Sequence, residues 1–163
     1  MIHDPQSNKD LAGSFQMPAG PHLLVRTEVS ARGFIEAHAG MGMVYVLHRP
    51  DGSPFYVGKA AGDQPQRPFA HVRDALKGVA KTATKIRAIN EILAAGDEVL
   101  YSIDSFHHGG GEYSRETLLT HVLGLLRDGG PLTNTRDEFS HLGPGGPAGG
   151  FARIVYDFER ASS

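Results

Sequence analysis

The first clear pattern of hydrophobic positions in the chain lies between residues 43 and 58. The segment MVYVLH at 43–48 is rich in β-branched and aromatic residues, and a shorter run of similar character, PFYV, follows at 54–57. The PDG triplet at 50–52 has the composition of a turn. Two such runs around a short turn predict a β-hairpin. Gly58 ends the second strand, where a close backbone approach or a positive φ favours glycine.

Helical and strand periods alternate after the hairpin. One helix is predicted over about residues 68–76 and a second over about 82–95, and each is closely followed by a glycine. Residues 98–105 alternate like a third strand. A third helix is predicted over about residues 113–126. Its apolar positions have the spacing of one buried face and comprise Leu118, Leu119, Val122, Leu125 and Leu126.

These elements predict an α+β domain in which a small, mainly antiparallel sheet of three strands is flanked by helices. The domain is expected to occupy residues 41–137. Residues 1–40 are expected to form an N-terminal extension. Its stretch at 23–39 has room for a strand and a short helix, but the periodicity there does not decide this. Residues 138–163 are expected to hold a Gly/Pro-rich loop at 143–150 and a late strand at 151–158, which either adds to the core or docks on the sheet edge.

Composition narrows the class of protein only slightly. Hydrophobic residues make up 40% of the chain and charged residues 21%, both ordinary for a soluble protein. No apolar run approaches the ~20 residues that span a bilayer, and the initial segment MIHDPQSNKD lacks the features of a signal peptide. The absence of cysteine excludes disulfides and thiolate metal sites. These features favour a cytoplasmic protein with no membrane partner, although an effector exported without a classical signal would look the same. They leave the oligomeric state open.

The charge distribution is more informative than the formal net charge of −2. Residues 59–87, called the basic band below, hold seven basic and two acidic side chains, so this stretch carries +5 and the rest of the chain −7. Local positive charge of this kind suits binding to nucleic-acid phosphates, although a solvated helix face would look the same. The side chains expected to contact nucleic acid are Arg73, Lys77, Lys81, Lys85 and Arg87.

The remaining polar residues suit hydrolysis of a phosphodiester. No nucleophile elbow, Walker loop or paired-histidine zinc motif is present. One carboxylate, Glu116, can hold Mg²⁺, which keeps most of its waters and also binds phosphate oxygens. Arg67 and His71 are four residues apart and project from one helical face; a guanidinium can bind phosphate and an imidazole can accept a proton. A phenol from Tyr45 or Tyr56 can orient the attacking water.

The order of these features resembles the GIY-YIG nuclease superfamily. The triplets MVY at 43–45 and YVG at 56–58 are similar to its paired GIY and YIG motifs. The extended form FYVGK at 55–59 resembles the subgroup that includes the LEM-domain-associated nucleases. Arg67-x-x-x-His71 resembles the superfamily's arginine and its partner on the first helix, and Glu116 resembles its metal-binding glutamate. LTN at 132–134 resembles the segment that closes its core. The resemblance covers about residues 43–137.

The resemblance implies an endonuclease that depends on Mg²⁺ or Mn²⁺ and cuts one strand of DNA per active site by direct attack of water. Tyr45 and Tyr56 would position or activate the water, and Arg67 would stabilise the phosphate. His71 would be the base or its relay, and Glu116 would bind the metal. Gly58, Lys59 and Asn134 would have supporting roles. Lys59 would touch the phosphate or tune the Tyr45 phenol, and Asn134 would hold the site together.

The chain departs from the superfamily pattern at several points, among them residues 135–138, where relatives often have glycines. Met43 replaces the glycine of the first motif, and a shorter spacing back from Asn134 would put His121, rather than Glu116, at the glutamate position. Glu112 is interpreted as a first-turn charge favoured by the helix dipole. Two alternative functions stay open: a degenerate domain that binds nucleic acid without cutting it, and a toxin or defence nuclease acting on DNA or RNA.

Overall fold

The structure is a computed structural model that describes residues 22–79, 83–126, 129–135 and 155–158. Within these ranges the chain forms five strands and four helices, and the predicted α+β class is confirmed. The elements in chain order are β1 (His22–Val25), α1 (Glu28–Glu36), β2 (Gly42–His48), β3 (Pro54–Ala60), α2 (Arg67–Leu76), α3 (Thr84–Ala94), β4 (Leu100–His107), α4 (Glu112–Leu123) and β5 (Val155–Phe158).

The main sheet has three antiparallel strands in the order β3-β2-β4, as the sequence predicts. The predicted hairpin forms β2 and β3, with Tyr45 opposite Gly58 and Leu47 opposite Tyr56. A register shift follows Leu47 in this pair, and a second shift separates Val44 from Tyr45 in the pairing with β4. The hairpin therefore carries both predicted catalytic tyrosines on adjacent strands, and β3 lies at the edge of the sheet.

Both faces of the sheet are covered, which explains why β2 is a continuous apolar run and not an alternating one. Met43, Tyr45 and Leu47 belong to a core shared with α1, α2 and α3. Val44 and Val46 face the opposite side. There they pack in a second core with Leu23, Val57, Leu119, Leu123, Leu125 and Leu132. Burial of each large aliphatic side chain contributes roughly 1.5–3 kcal/mol to the free energy of unfolding. The central strand is therefore stabilised by packing on both of its faces.

The first two predicted helices are observed close to their predicted bounds. Pro68 lies in the first turn of α2, where its missing N–H costs nothing. Gly78 follows α2 with φ 73° and Gly96 follows α3 with φ 81°, so glycine ends each helix in the left-handed region. Lys81, from the basic band, lies outside the described residues.

The prediction for the third helix was wrong in its end and in part of its buried face. The helix ends at Leu123 because Gly124 leaves the helical region, with φ 85° and ψ 144°. The buried side is centred on Leu119 and Leu123, which leaves Leu118 44% exposed. Leu126, beyond the helix end, is 55% exposed. The third strand runs from residue 100 to 107, two residues later than predicted, with buried Val99 just before it.

The stretch that the sequence left undecided, 23–39, forms part of β1 and all of α1. The Thr27 side chain caps α1 by accepting a hydrogen bond from Ser30 N–H at 3.3 Å. The backbone groups of Arg26 and Tyr101 exchange hydrogen bonds of 2.6 and 2.8 Å, which join β1 to β4. This stretch therefore packs on the main sheet.

The late strand is observed as β5, which pairs in parallel with β1 in a separate two-stranded sheet. The predicted residues 151–154 lie outside the described residues, as do the Gly/Pro-rich loop at 143–150 and the first 21 residues. The predicted domain boundaries at 41 and 137 stay predictions. Across the described part of the chain, no helix combines the length and the apolarity needed to cross a membrane.

Candidate active site

A cleft of about 450 Å³ opens beside the edge strand β3. Four of the five predicted catalytic residues line it: Tyr45 from β2, Tyr56 from β3, Arg67 from α2 and Glu116 from α4. The edge strand makes this convergence possible, because α2 and α4 approach it from opposite faces of the sheet. The other lining residues are Gly58, Lys59, Ala61, Gln64 and Glu112.

His71, the fifth predicted catalytic residue, lies behind the cleft and contacts Tyr45. The Tyr45 hydroxyl oxygen is 2.7 Å from Nε2 of His71, and both residues are buried. Burial lowers the pKa of His71 to about 3, and the positive charges of Lys85 and Arg67 act in the same direction. The imidazole is therefore neutral at neutral pH, and Nε2 can accept a hydrogen bond from the phenol.

The phenol of Tyr45 is also neutral in the folded chain. Burial raises its pKa above its usual value, and the charges of Tyr56 and Glu116 add to this effect. The positive charge of Arg67 opposes it. The raised pKa means that the phenol does not lose its proton unaided. Its contact with His71 still lets it pass a proton to Nε2 while it accepts one from a bound water.

Gly58 allows the Tyr45 ring to lie against β3. The two residues are opposite each other in the hairpin, and a Cβ at position 58 would be 2.3 Å from Cζ of Tyr45 and 2.4 Å from its hydroxyl oxygen. Both distances are far below van der Waals contact, and the opposing atoms belong to a buried ring. Of the two reasons that the sequence suggests for glycine here, the close approach is the one that the structure shows.

Tyr56 lies between His71 and a lysine of the basic band. Its ring meets the His71 ring edge-on with centroids 5.0 Å apart, and Nζ of Lys85 lies 4.5 Å from its centroid. Burial lowers the pKa of Lys85, with Arg67 adding to the effect and Asp74 opposing it. Lys85 is thus half-buried against Tyr56, next to the cleft, and its expected contact with nucleic acid stays a prediction. The described basic residues Arg73, Lys77 and Arg87 are exposed.

Glu116, which lines the cleft from α4, forms an ion pair with Lys59 of β3. Nζ of Lys59 is 3.4 Å from Oε2 of Glu116 and 4.3 Å from the centroid of the Tyr113 ring. The Lys59 and Glu116 side chains are 40% and 26% exposed. An ion pair this exposed contributes at most about 1 kcal/mol, so a divalent cation can compete for the carboxylate. His121, the alternative to Glu116, is buried and is not among the residues that line the cleft.

Asn134 holds the outer edge of β3 by two hydrogen bonds. Its Oδ1 accepts from Val57 N–H at 2.9 Å, and its Nδ2 donates to Val57 O at 2.8 Å. Thr133 donates to Phe55 O from its N–H and from its hydroxyl, at 2.7 and 2.8 Å. These bonds satisfy edge-strand groups that would otherwise need another partner, and they fix the backbone on both sides of Tyr56.

An ion pair that sequence reasoning missed fixes α4 on β4. Nε and an Nη of Arg115 donate to the two oxygens of Asp104 at 2.7 and 2.8 Å, and the Asp104 side chain is 1% exposed. Ser105 adds a hydroxyl donor to Asp104 at 2.7 Å. Arg115 directly precedes Glu116, so this pair sets the rotation of the helix that carries the cleft carboxylate. Only the opposite charges on neighbouring elements hint at it in the sequence.

Glu112 also lines the cleft, which the helix-dipole interpretation did not anticipate. Its carboxylate lies on the backbone of Gly42, because a Cβ there would be 2.9 Å from Cδ and Oε2 of Glu112. Oε2 is buried and accepts no hydrogen bond from any residue that the structure describes. The spacing of four residues from Glu116 was the available sequence signal.

The cleft suits a hard divalent cation. The described residues hold no cluster of three or more His, Asp or Glu side chains of the kind that encloses a metal. Mg²⁺ does not need one, since it usually binds one or two carboxylates and completes its octahedron with waters and phosphate oxygens. Glu116, together with the buried and unsatisfied Glu112 oxygen, fits that requirement.

Comparisons of the chain with protein-family models, with curated proteins and with solved structures each found no match. The likeness to GIY-YIG nucleases therefore stays an expectation from the motifs.

We expect the folded chain to lose stability in mild acid, because two of its histidines, His48 and His71, are buried. Burial lowers the pKa of His48 to about 4, against a usual value of 6.5, and that of His71 to about 3. Between pH 6.5 and these values the unfolded chain binds protons that the folded chain does not. The free energy of unfolding is therefore greatest above pH 6.5 and falls below it, by up to about 1.4 kcal/mol per pH unit for each histidine.

Urea denaturation between pH 7.5 and 5 measures this slope. In the His48→Gln variant the slope should become shallower, since one of the two groups is removed. A His108→Gln variant, altered at an exposed loop position, should keep the slope of the unmodified chain. An unchanged slope in His48→Gln would contradict the prediction.

Proposed function

We propose that this chain is a metal-dependent endonuclease of the GIY-YIG type that hydrolyses phosphodiester bonds in DNA, one strand per active site, by direct attack of water. One observation carries the proposal: Tyr45, Tyr56, Arg67 and Glu116 come from four elements and line a single cleft. Their order along the chain supports it, because it is the order in which the superfamily motifs occur.

The Tyr45–His71 pair suits activation of the water. A water molecule bound at the Tyr45 hydroxyl gives a proton to the phenol oxygen while the phenol proton moves to Nε2 of His71, 2.7 Å away. The water oxygen then forms its bond to phosphorus, and the bond from phosphorus to the leaving oxygen breaks. A phosphodiester in the cleft brings negative charge close to His71, which favours its protonated form and makes it a better base.

Arg67 and Glu116 act on the phosphate from opposite sides of the cleft. Arg67 is exposed at the start of α2, where its forked N–H groups can bind two phosphate oxygens and the charge that develops on them. Glu116, with its exposed pairing to Lys59, is the carboxylate that would hold Mg²⁺ or Mn²⁺. The bound cation would stabilise negative charge on the phosphate and the leaving oxygen.

A nucleic acid is the proposed partner because positive charge continues beyond the cleft, and the resemblance to the GIY-YIG nucleases favours DNA. Arg73 and Lys77 are exposed at the end of α2, and Arg87 is exposed on the neighbouring α3. These side chains can neutralise phosphates that flank the cut site, which makes binding dependent on salt concentration. A cytoplasmic location belongs to the same proposal.

The test is nicking of supercoiled plasmid and of a branched DNA, with RNA run alongside, in Mg²⁺, Mn²⁺ or EDTA. We expect open circles to appear before linear plasmid, because each active site cuts one strand, and EDTA should stop the reaction. Binding to DNA without cutting of any substrate would overturn the proposal in favour of a binding domain. Equal cutting of RNA and DNA would favour the toxin or defence nuclease.

A further inference from the structure

The first two turns of α4 present two carboxylates to the cleft, although the sequence resemblance assigns a role to only one. Glu112 and Glu116 are four residues apart, which puts them on the same side of the helix, and both line the cleft. Glu116 has Lys59 as its partner at 3.4 Å. Oε2 of Glu112 is buried and accepts no hydrogen bond from the described residues.

A dipole role does not account for the position of Glu112. A first-turn glutamate that only complements the helix dipole can leave its oxygens in water or accept bonds from free N–H groups. Here the carboxylate is turned onto the backbone of Gly42 at the start of β2, where any larger residue would displace it. A buried carboxylate oxygen without a donor is unfavourable. Its position makes chemical sense if a cation binds there.

We propose that Glu112 is a second metal-binding residue, which shares one Mg²⁺ or Mn²⁺ with Glu116. Two carboxylates in one corner of a cleft leave most coordination positions to waters and to the phosphate, as Mg²⁺ prefers. Gly42 is then a positioning residue, because its missing side chain leaves room for the Glu112 carboxylate. This inference rests on the proposed function and adds a ligand to its metal site.

The test measures binding of Mn²⁺ alone to the full chain by calorimetry or electron paramagnetic resonance. The Glu112→Gln variant keeps the shape of the side chain and removes its charge. We expect it to bind Mn²⁺ about tenfold more weakly or worse, as Glu116→Gln should. The matched control Glu98→Gln, at an exposed position before β4, should bind like the unmodified chain. Mn²⁺ should also raise the melting temperature of the unmodified chain more than that of Glu112→Gln.

A second variant tests the same ligand without changing any charge. Gly42→Ala pushes on the end of the flexible Glu112 side chain, at a Cβ distance of 2.9 Å, and should also weaken Mn²⁺ binding. It gives an answer even if Glu112→Gln fails to fold. Weaker Mn²⁺ binding by both Glu112→Gln and Gly42→Ala supports the inference.

The possible failures of the two proposals can be told apart. One outcome is that Glu112→Gln binds Mn²⁺ as tightly as the unmodified chain while Glu116→Gln binds it weakly. That outcome would overturn the role of Glu112 and leave the proposed nuclease intact. Mn²⁺ binding that needs both carboxylates, in a chain that cuts no nucleic acid, would keep the metal site and overturn the nuclease. An unmodified chain that binds no Mn²⁺ would overturn the inference outright.

Discussion

Replacement of Glu116 by Gln is expected to lower the rate of plasmid nicking on the order of 10³-fold, since the amide holds a divalent cation poorly and the phosphate loses its main source of charge stabilisation. The Glu116 carboxylate lines the cleft from α4, where it forms an exposed ion pair with Lys59. The fold should survive, because the side chain is 26% exposed and the substitution preserves its shape.

Nicking with Mg²⁺ should be measured beside a His121→Asn variant, which tests the other alignment of the helix. We expect His121→Asn to alter stability more than chemistry, because His121 is buried away from the cleft lining. Normal nicking by Glu116→Gln together with loss in His121→Asn would show that the metal-binding residue has been misassigned.

Replacement of Tyr45 by Phe is expected to lower the nicking rate by about 10²- to 10⁴-fold, the usual range for loss of a proton-transfer group. The hydroxyl is the atom that links the cleft to His71, at 2.7 Å. Loss of its hydrogen bond also leaves Nε2 of His71 without that partner, at a cost of about 1–3 kcal/mol in unfolding free energy. Mn²⁺ binding should stay unchanged, because Tyr45 is not a proposed ligand.

Tyr101→Phe is the matched control for this experiment. Tyr101 is 1% exposed, like Tyr45, and packs in the same core, where its ring lies 5.0 Å from that of Phe69. It does not line the cleft. Its substitution should therefore leave the nicking rate within about twofold of normal, on the general expectation that only groups near the reacting atoms act on the chemical step. Equal losses in both variants would show that Tyr45 acts only through packing.

Local sequence patterns predicted the elements that build the main sheet. The hairpin follows from two β-rich runs around a turn, and the ends of α2 and α3 follow from their glycines. The error at α4 has a local cause as well: the apolar stripe was extended through Gly124, which leaves the helical region and exposes Leu126. Pairing of β5 with β1 had no local signal, because more than a hundred residues separate the two strands.

In the candidate site, too, local patterns indicate some residues, and contacts between distant segments decide the rest. Residue types and their order indicate five catalytic residues: Tyr45, Tyr56, Arg67, His71 and Glu116. The structure brings four of them to one cleft, with His71 directly behind. The sequence gives no such indication for Glu112, because the helix dipole already explains a glutamate in the first turn. Its burial against Gly42 depends on a contact between β2 and α4, seventy residues apart, which no local pattern records.

By itself the sequence determined the class of fold, the hairpin that carries two tyrosines and the set of residues suited to phosphodiester chemistry, because period, turn chemistry and residue type act over a few positions. Only the tertiary structure decided which of those side chains meet. The Asp104–Arg115 ion pair sets the rotation of α4, and Gly58 and Gly42 leave room for a phenol and a carboxylate. Each is a contact between distant segments, formed only when the sheet and its helices pack together.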